Sequence, residues 1–377
     1  MSAKERSRKQ WVGCSIEAEY FGEERKSGKM DRKLAQAKDR SKHKKTDQKK
    51  EKQTAKISHE NLLHGRVLSI ESQGITVAVG EALFNCTLRG LLKKENTQLK
   101  NLVTVGDFVW IDPIHENEGQ IAVIDERKTV LSRADNLSRR KEQLIAANVD
   151  QVLITTSVVS PPLKPFLIDR YIIAANKGGM DPVIIINKID LLDGKNKQDE
   201  LAALEEQIYH ELVSIYQKAG IPTVATSIET GQGIEELKQL MKDRVSVFSG
   251  QSGVGKSSLI NVVAGYELLT GEIVDRTQKG AHTTSSARLL PLKFGGWCVD
   301  TPGIKSFGIW KLDKEEVEHY FDEIFTCGHE CRYPNCSHRG EKGCAVAVAV
   351  EKGEISPLRY ASYEALLSSV EEEHRRR

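Results

Sequence analysis

The sequence lacks any apolar run long enough to cross a membrane. Stretches such as Pro182–Asn187 (PVIIIN) are strand-sized, whereas a membrane helix needs about 18 or more consecutive apolar residues. The N-terminus has no apolar core of the kind a secretory signal carries. Ten acidic side chains in the first 60 residues also disfavour a transit peptide, which is poor in acids. A cytoplasmic protein without membrane attachment is expected. A disulfide framework is missing too. Of seven cysteines, four crowd between Cys327 and Cys344, and in a chain without an export signal such crowding points to metal binding. Nothing calls for an obligate partner subunit, so a monomer is expected.

What is present is length for two or three domains: 377 residues, 39% hydrophobic and 29% charged, ordinary values for a globular chain with a real core. The net charge of +2 hides an asymmetry. Residues 1–60 hold 18 Lys/Arg against 10 Asp/Glu, a local +8, so the remainder carries −6. This Lys-rich segment has too few branched apolar residues to offset its ordering entropy and is read as disordered or loosely helical. Its function stays open between a solubilising tail and an RNA-binding arm. From His64 to about Arg133, five short alternating segments with glycine punctuation predict a small barrel, of which the OB-fold is a common type. Phe84, Phe108 and Trp110 are either stacking platforms for nucleic acid or barrel core. Arg89, Lys93 and Lys94, flanking a turn at Gly90, are better placed for backbone contacts. From about Asn148, strands alternate with helices, which predicts a parallel sheet with crossover helices.

The segment GQSGVGKSS (250–258) fits G-x-x-x-x-G-K-[ST] at Gly250, Gly255, Lys256 and Ser257, between a strand and a helix. The backbone of Gly250, Gln251, Ser252, Gly253, Val254, Gly255 and Ser258 is expected to wrap phosphate oxygens at a helix N-terminus. Lys256 would reach the β- and γ-phosphates, and the Ser257 hydroxyl would bind Mg²⁺. The base is read from NKID (187–190). An Asp there accepts two hydrogen bonds from the N1–H and N2–H₂ edge of guanine, a donor pair that adenine lacks. Asp190 takes that role, Asn187 ties the loop, and the Lys188 stem covers the ring. In SIETGQG (227–233), Ser227 and the Ile228 backbone would lie near the guanine O6. DTPG (300–303) supplies Asp300, holding Mg²⁺ through water, and the Gly303 N–H for the γ-phosphate. Thr283 or Thr284, with Thr284 favoured, offers the switch hydroxyl to Mg²⁺ in a segment that orders around a γ-phosphate.

The order is unusual. An ordinary GTPase opens on its phosphate loop and ends on the guanine motif, whereas here NKID comes first and no N-K-x-D follows Gly303. The domain is therefore circularly permuted, which is sterically reasonable because domain termini often lie close together. These motifs in this order closely resemble the RsgA (YjeQ) family of circularly permuted GTPases of small ribosomal subunit biogenesis. VGDFVWI (105–111) and ANVDQVLI (147–154) are similar to family segments as well. Ala281 stands where the family's switch pattern carries Arg or Lys. The resemblance covers about residues 62–365 and implies a multidomain fold. Its parts would be a basic extension (1–60), an N-terminal OB-fold β-barrel (61–133), a central α/β circularly permuted P-loop GTPase domain (134–310) and a C-terminal zinc-binding helical domain with a final helix (311–377). It further implies binding of GTP and GDP, of the small ribosomal subunit and of its rRNA late in maturation, with hydrolysis stimulated by the subunit. Two other readings differ in class: an RNA-binding assembly protein that uses GTP only as a conformational signal, and a permuted GTPase of another RNA target.

Cys331, Cys336, His338 and Cys344 follow C-x4-C-x-H-x5-C, which resembles the family's zinc knuckle. Three thiolates and an imidazole make a closed, structural Zn²⁺ shell, with Cys327 and His329 as further candidates. Ile304, after DTPG, cannot orient a water as the Gln of other GTPases does. His282 is the nearest replacement as the catalytic residue, the alternative being a His that only packs or contacts RNA.

Overall fold

Residues 62–89, 101–134, 142–192, 200–265, 287–300 and 312–375 are described by a computed structural model of the protein. The basic arm, Lys93, Lys94, Ala281, His282, Thr283, Thr284, Gly303 and Ile304 lie outside them.

Alternation of apolar and polar residues builds the first element. Strands β1 (Leu63–Glu71), β2 (Gly74–Val79), β3 (Ala82–Leu88), β4 (Phe108–His115) and β5 (Glu118–Ile124) turn Val67, Ile75, Val77, Cys86, Val109, Ile111 and Ile121 inward to one core. This is the period of two that a half-buried strand imposes. The strands pair in the order β1-β2-β3-β5-β4, and β4 returns to β1 to close a barrel. β3 and β5 run parallel and the other neighbours antiparallel. Phe84 packs partly buried against the barrel core. Phe108 and Trp110 face outward, each opposite a polar β1 residue, Arg66 and His64.

A hairpin of β6 (Val130–Ala134) and β7 (Glu142–Ala147) follows. It leads to the junction where the segments 105–111 and 147–154 meet. The Ala147 N–H donates to the Val105 carbonyl at 2.8 Å, and Asn148 Nδ2 donates to the Gly106 carbonyl at 3.1 Å.

The second unit alternates β8 (Gln151–Thr156), α1 (Pro165–Lys177), β9 (Asp181–Asn187), α2 (Glu200–Lys218), β10 (Thr223–Thr226), α3 (Ile234–Met241), β11 (Val245–Gly250), α4 (Lys256–Ala264), β12 (Arg288–Pro291) and β13 (Trp297–Asp300). β8 and β11 are buried along their whole length. Near-continuous burial of this kind marks strands covered on both faces. Leu153, Val183, Ile185, Phe248 and Cys298 form one core with Leu237 of α3 and Leu259 and Val263 of α4. The order β10-β9-β8-β11-β13 is parallel throughout, with β12 antiparallel at its edge. β12 then pairs with barrel strand β1 at Ser69↔Arg288, so barrel and nucleotide sheet are hydrogen-bonded into one surface.

The C-terminal part is helical: α5 (Lys314–Val317), α6 (Asp322–Gly328), α7 (Ala345–Lys352) and α8 (Pro357–Arg375). Its core of Phe321, Ile324, Val346, Tyr363, Leu366 and Leu367 also takes in Ile173 of α1. A buried ionic cluster ties the two units at the same place. Arg359 of α8 donates to Asp169 of α1 and to Glu323 of α6 at 2.6 Å, and Tyr216 of α2 donates to Asp169 at 2.9 Å. The guanidinium also lies 4.3 Å from the Phe321 ring centroid. Burial holds the Asp169 carboxyl above the usual carboxylate range in spite of the Arg359 charge beside it. Among the described residues no helix is long and apolar enough to cross a membrane.

Candidate functional site

Parallel pairing places the carboxyl ends of β8, β9, β10, β11 and β13 on one edge of the sheet, the edge where open α/β sheets bind ligands. Asn187 ends β9 and is buried (1% exposed). Its Nδ2 donates to the Val254 carbonyl at 2.8 Å, and its Oδ1 accepts from Thr226 Oγ1 at 3.1 Å. One side chain thus joins the 187–190 loop, the 250–258 loop and β10. Lys188 is left-handed (φ 63°), and its Nζ donates to the Gly253 carbonyl at 2.7 Å and the Ser160 carbonyl at 2.9 Å. A short 3-10 turn, Ile189–Leu191, carries Asp190, where Ser227 Oγ donates to Oδ1 at 2.5 Å. The Ser227 N–H in turn donates to the Gln232 carbonyl at 3.0 Å. That loop fixes one Asp190 oxygen and leaves the other for a ligand. Ile228 is partly buried against the sheet core.

The 250–258 loop leaves the end of β11 and enters α4 at Lys256. Buried Val254 (1% exposed) anchors it. Gly255 has φ +94°, and a Cβ there would stand 2.4 Å from Asn187 Nδ2, so both conformation and space require glycine. The first-turn N–H groups of α4, with Ser257 and Ser258, are left without helical acceptors and favour an anion. Lys256 Nζ donates to the Gly250 carbonyl at 2.8 Å and the Gln251 carbonyl at 2.7 Å. Burial brings its ammonium down to about 8, because desolvation disfavours the charged form.

Asp300 ends β13, the parallel neighbour of β11. Burial raises its carboxyl, and the charge of Arg288, its cross-strand partner, pulls it back down. The Ser257 hydroxyl and the Asp300 carboxylate are hard oxygen donors, the kind Mg²⁺ takes.

The second cluster stands in the helical part. Donor atoms of Cys331, Cys336, His338 and Cys344 all lie within 4.8 Å of one another. Cys331 Sγ and Cys344 Sγ are 3.9 Å apart, and each is 3.5 Å from His338 Nδ1. A tetrahedral ion with thiolates at about 2.3 Å and an imidazole at about 2.0 Å requires edges of about 3.8 and 3.5 Å. Cys331, Cys344 and His338 match those edges, and Cys336 completes a group of four donors that could hold a metal ion. Neither Cys327 nor His329 belongs to this group. The opposite ring nitrogen, His338 Nε2, meets Glu318 Oε1 at 3.2 Å, a carboxylate contact that orients a ligating His. The Ala345 and Ala347 N–H groups donate to Cys331 Sγ and Cys344 Sγ.

Several participants were not evident from the sequence. Thr226, the Ser160 carbonyl, Glu318 and Arg288 enter through distant pairings, and only the C-terminal position of Thr226 on a strand could have pointed to it.

A family model described as RsgA GTPase matches residues 124–310. The chain is 42% identical over 281 residues to the "Small ribosomal subunit biogenesis GTPase RsgA" of Chlorobaculum parvum, covering 72% of this chain and 86% of the relative. It is 40% identical over 321 residues to the protein of the same name in Chlorobaculum tepidum, covering 82% and 99%. Among solved structures it is similar to YjeQ from Thermotoga maritima, with a TM-score of 0.63, 34% identity and coverage of 82% and 98%. YloQ, described as a circularly permuted GTPase, gives 0.61, 27%, 84% and 98%. The fold is thus a YjeQ-like circularly permuted GTPase with an N-terminal barrel and a Cys/His cluster able to hold a metal ion. With its phosphate loop, guanine motif and permuted order, the chain belongs to the RsgA GTPase family and is a hydrolase acting on GTP.

Proposed function

We propose that this GTPase acts in biogenesis of the small ribosomal subunit, binding the subunit and its rRNA late in maturation and leaving it after hydrolysis. The observation that carries the reading is near-full-length likeness, at 40% identity, to a relative named for that process. The barrel supports it. Its closed 1-2-3-5-4 order with one parallel pair is that of an OB-fold, and OB-folds bind nucleic acid. Its outer face carries His64, 4.8 Å from Trp110 by ring centroids, whereas Arg66 and Phe108 lie toward the nucleotide sheet, with the Arg66 guanidinium donating to the Asn148 carbonyl at 3.1 Å and 5.8 Å from the Trp297 ring centroid. Outward rings of this kind suit stacking of unpaired bases. The protein would work as a cytoplasmic monomer, with residues 1–60 as an accessory basic arm to the barrel (61–133), GTPase (134–310) and zinc (311–377) domains.

In the site, Asp190 accepts from the guanine N1–H and N2–H₂, Lys188 covers the ring, and Ser227 with the Ile228 backbone borders O6. Residues 250–258 cradle the phosphates, with Lys256 toward β and γ and the Gly303 N–H on the γ-phosphate. Ser257, Thr284 and Asp300 hold Mg²⁺, which when bound neutralises the charge developing on the phosphates. His282 orients the water that attacks the γ-phosphorus, giving GDP and phosphate. One structural Zn²⁺ sits on Cys331, Cys336, His338 and Cys344, whose donor set and spacing are those zinc prefers. Single-turnover GTP hydrolysis with and without purified small subunits tests the reading. Strong stimulation by small subunits is expected. Equal rates in both conditions, or stimulation only by large subunits, overturns it.

A further inference from the structure

Among the described residues, one cross-strand pair joins barrel strand β1 to the nucleotide sheet, and it borders the proposed Mg²⁺ site. Arg288 opens β12 and lies in register between two strands, Ser69 of the barrel on one side and Asp300 on the other. Cross-strand partners project to the same face with Cβ atoms about 4.5–5.5 Å apart. Glu71, two residues beyond Ser69 on β1, shares that face. The Arg288 guanidinium is bonded to Glu71 Oε1 at 3.1 Å, with the side chains 57% and 48% exposed. A single cation therefore has two carboxylates within reach, one on each domain.

We propose that Arg288 is a positioning residue whose bond to Glu71 keeps the Asp300 carboxylate open to Mg²⁺, so that the seat of the barrel sets the strength of the metal site. When the barrel shifts and Glu71 withdraws, the guanidinium turns to its cross-strand neighbour Asp300 and competes with the ion. Barrel position and nucleotide hold are then linked through Arg288, because metal and nucleotide bind together. The inference rests on the assignment of Asp300 to Mg²⁺.

The arrangement separates from a plain structural ion pair by the sign of two substitutions. Glu71→Gln and Arg288→Met remove the same ion pair, so a structural role predicts equal effects. A competing guanidinium predicts opposite ones. The test is the affinity of full-length protein for a fluorescent GDP analogue, titrated across Mg²⁺ concentrations at low salt. Glu71→Gln should raise the Mg²⁺ half-saturation about two- to fivefold, the range an exposed ion pair supplies. Arg288→Met should leave it unchanged or lower, and Glu71→Gln/Arg288→Met should follow Arg288→Met. The shift from Glu71→Gln should shrink as salt screens the pair. Equal shifts in the two single variants, or none from Glu71→Gln, overturn the inference. Asp300→Asn distinguishes the failures. If it raises the half-saturation while Glu71→Gln does not, only the Arg288 link is wrong. If it changes nothing, the Mg²⁺ assignment and the link fall together.

Discussion

Replacing Arg359 with methionine should detach the metal-binding helices from the GTPase unit. The guanidinium serves Asp169 on α1 and Glu323 on α6 at once, and Asp169 is 1% exposed. Without Arg359, Glu323 turns to solvent, but Asp169 keeps only a neutral partner, Tyr216. Stranding one member of a buried pair costs about 3–5 kcal/mol, which in a chain of this size lowers the melting temperature by on the order of 10 °C. The cost should depend on pH. Asp169 is already raised by burial, and losing the cation raises it further. A carboxyl raised in the folded state contributes stability below its unfolded value, and that contribution is lost as pH rises through the folded value. The penalty of Arg359→Met should therefore be larger at pH 8 than at pH 5. Asp169→Asn added to Arg359→Met should recover part of the loss, since no charge is then buried. Scanning calorimetry of the parent protein and the two variants at both pH values measures this. A penalty below about 1 kcal/mol, or one equal at the two pH values, refutes a buried charge pair as the joint.

Four further outcomes are expected. Gly255→Ala forces a left-handed alanine against Asn187 Nδ2, a strain of about 1–3 kcal/mol, and should weaken GDP binding about 5- to 150-fold by fluorescence titration; unchanged affinity counts against the loop geometry. Asp190→Asn replaces an acceptor by a donor at the base edge, so competition binding should show GTP losing to XTP, and a retained guanine preference would remove Asp190 from base reading. Glu318→Gln should weaken zinc binding about 10- to 100-fold in a chromogenic chelator assay, starting from one zinc per chain, and complete zinc removal should unfold the helical part first by circular dichroism, because the four donors supply folding energy there.

Much of this was legible because the chemistry is local. The 250–258 loop, NKID and the Cys/His spacing are short stretches whose residue types have one demanding use. The alternation at Val67, Ile75, Val77, Val109 and Ile111 exposed the barrel, and continuous apolar runs exposed β8, β9 and β11. Illegible parts depend on contacts far apart in sequence. Phe108 and Trp110 share a strand with inward Val109 and Ile111, yet composition alone does not say which parity faces out. The β6–β7 hairpin escaped notice because its strands are short, five and six residues, and lack a clean apolar–polar alternation. Arg288 reads as an ordinary surface charge until its register between Ser69 and Asp300 is known. Asp169, Glu323 and Arg359 are spread over 190 positions, and no local pattern links them.

Permutation also changes the order in which the site is made. Asp190 is synthesised about 60 residues before Gly250, roughly 3–12 seconds at ordinary elongation rates. During that interval β8, β9 and β10 can pair in parallel, but β8 keeps an open edge until β11 arrives to fill the centre of the sheet. The Asn187 amide likewise waits for the Val254 carbonyl. A nascent chain of this type therefore carries a base-reading half with no phosphate grip, and an unpaired hydrophobic strand edge of the kind chaperones shield. Its nucleotide can help complete folding only near the end of synthesis, when β13 closes the sheet.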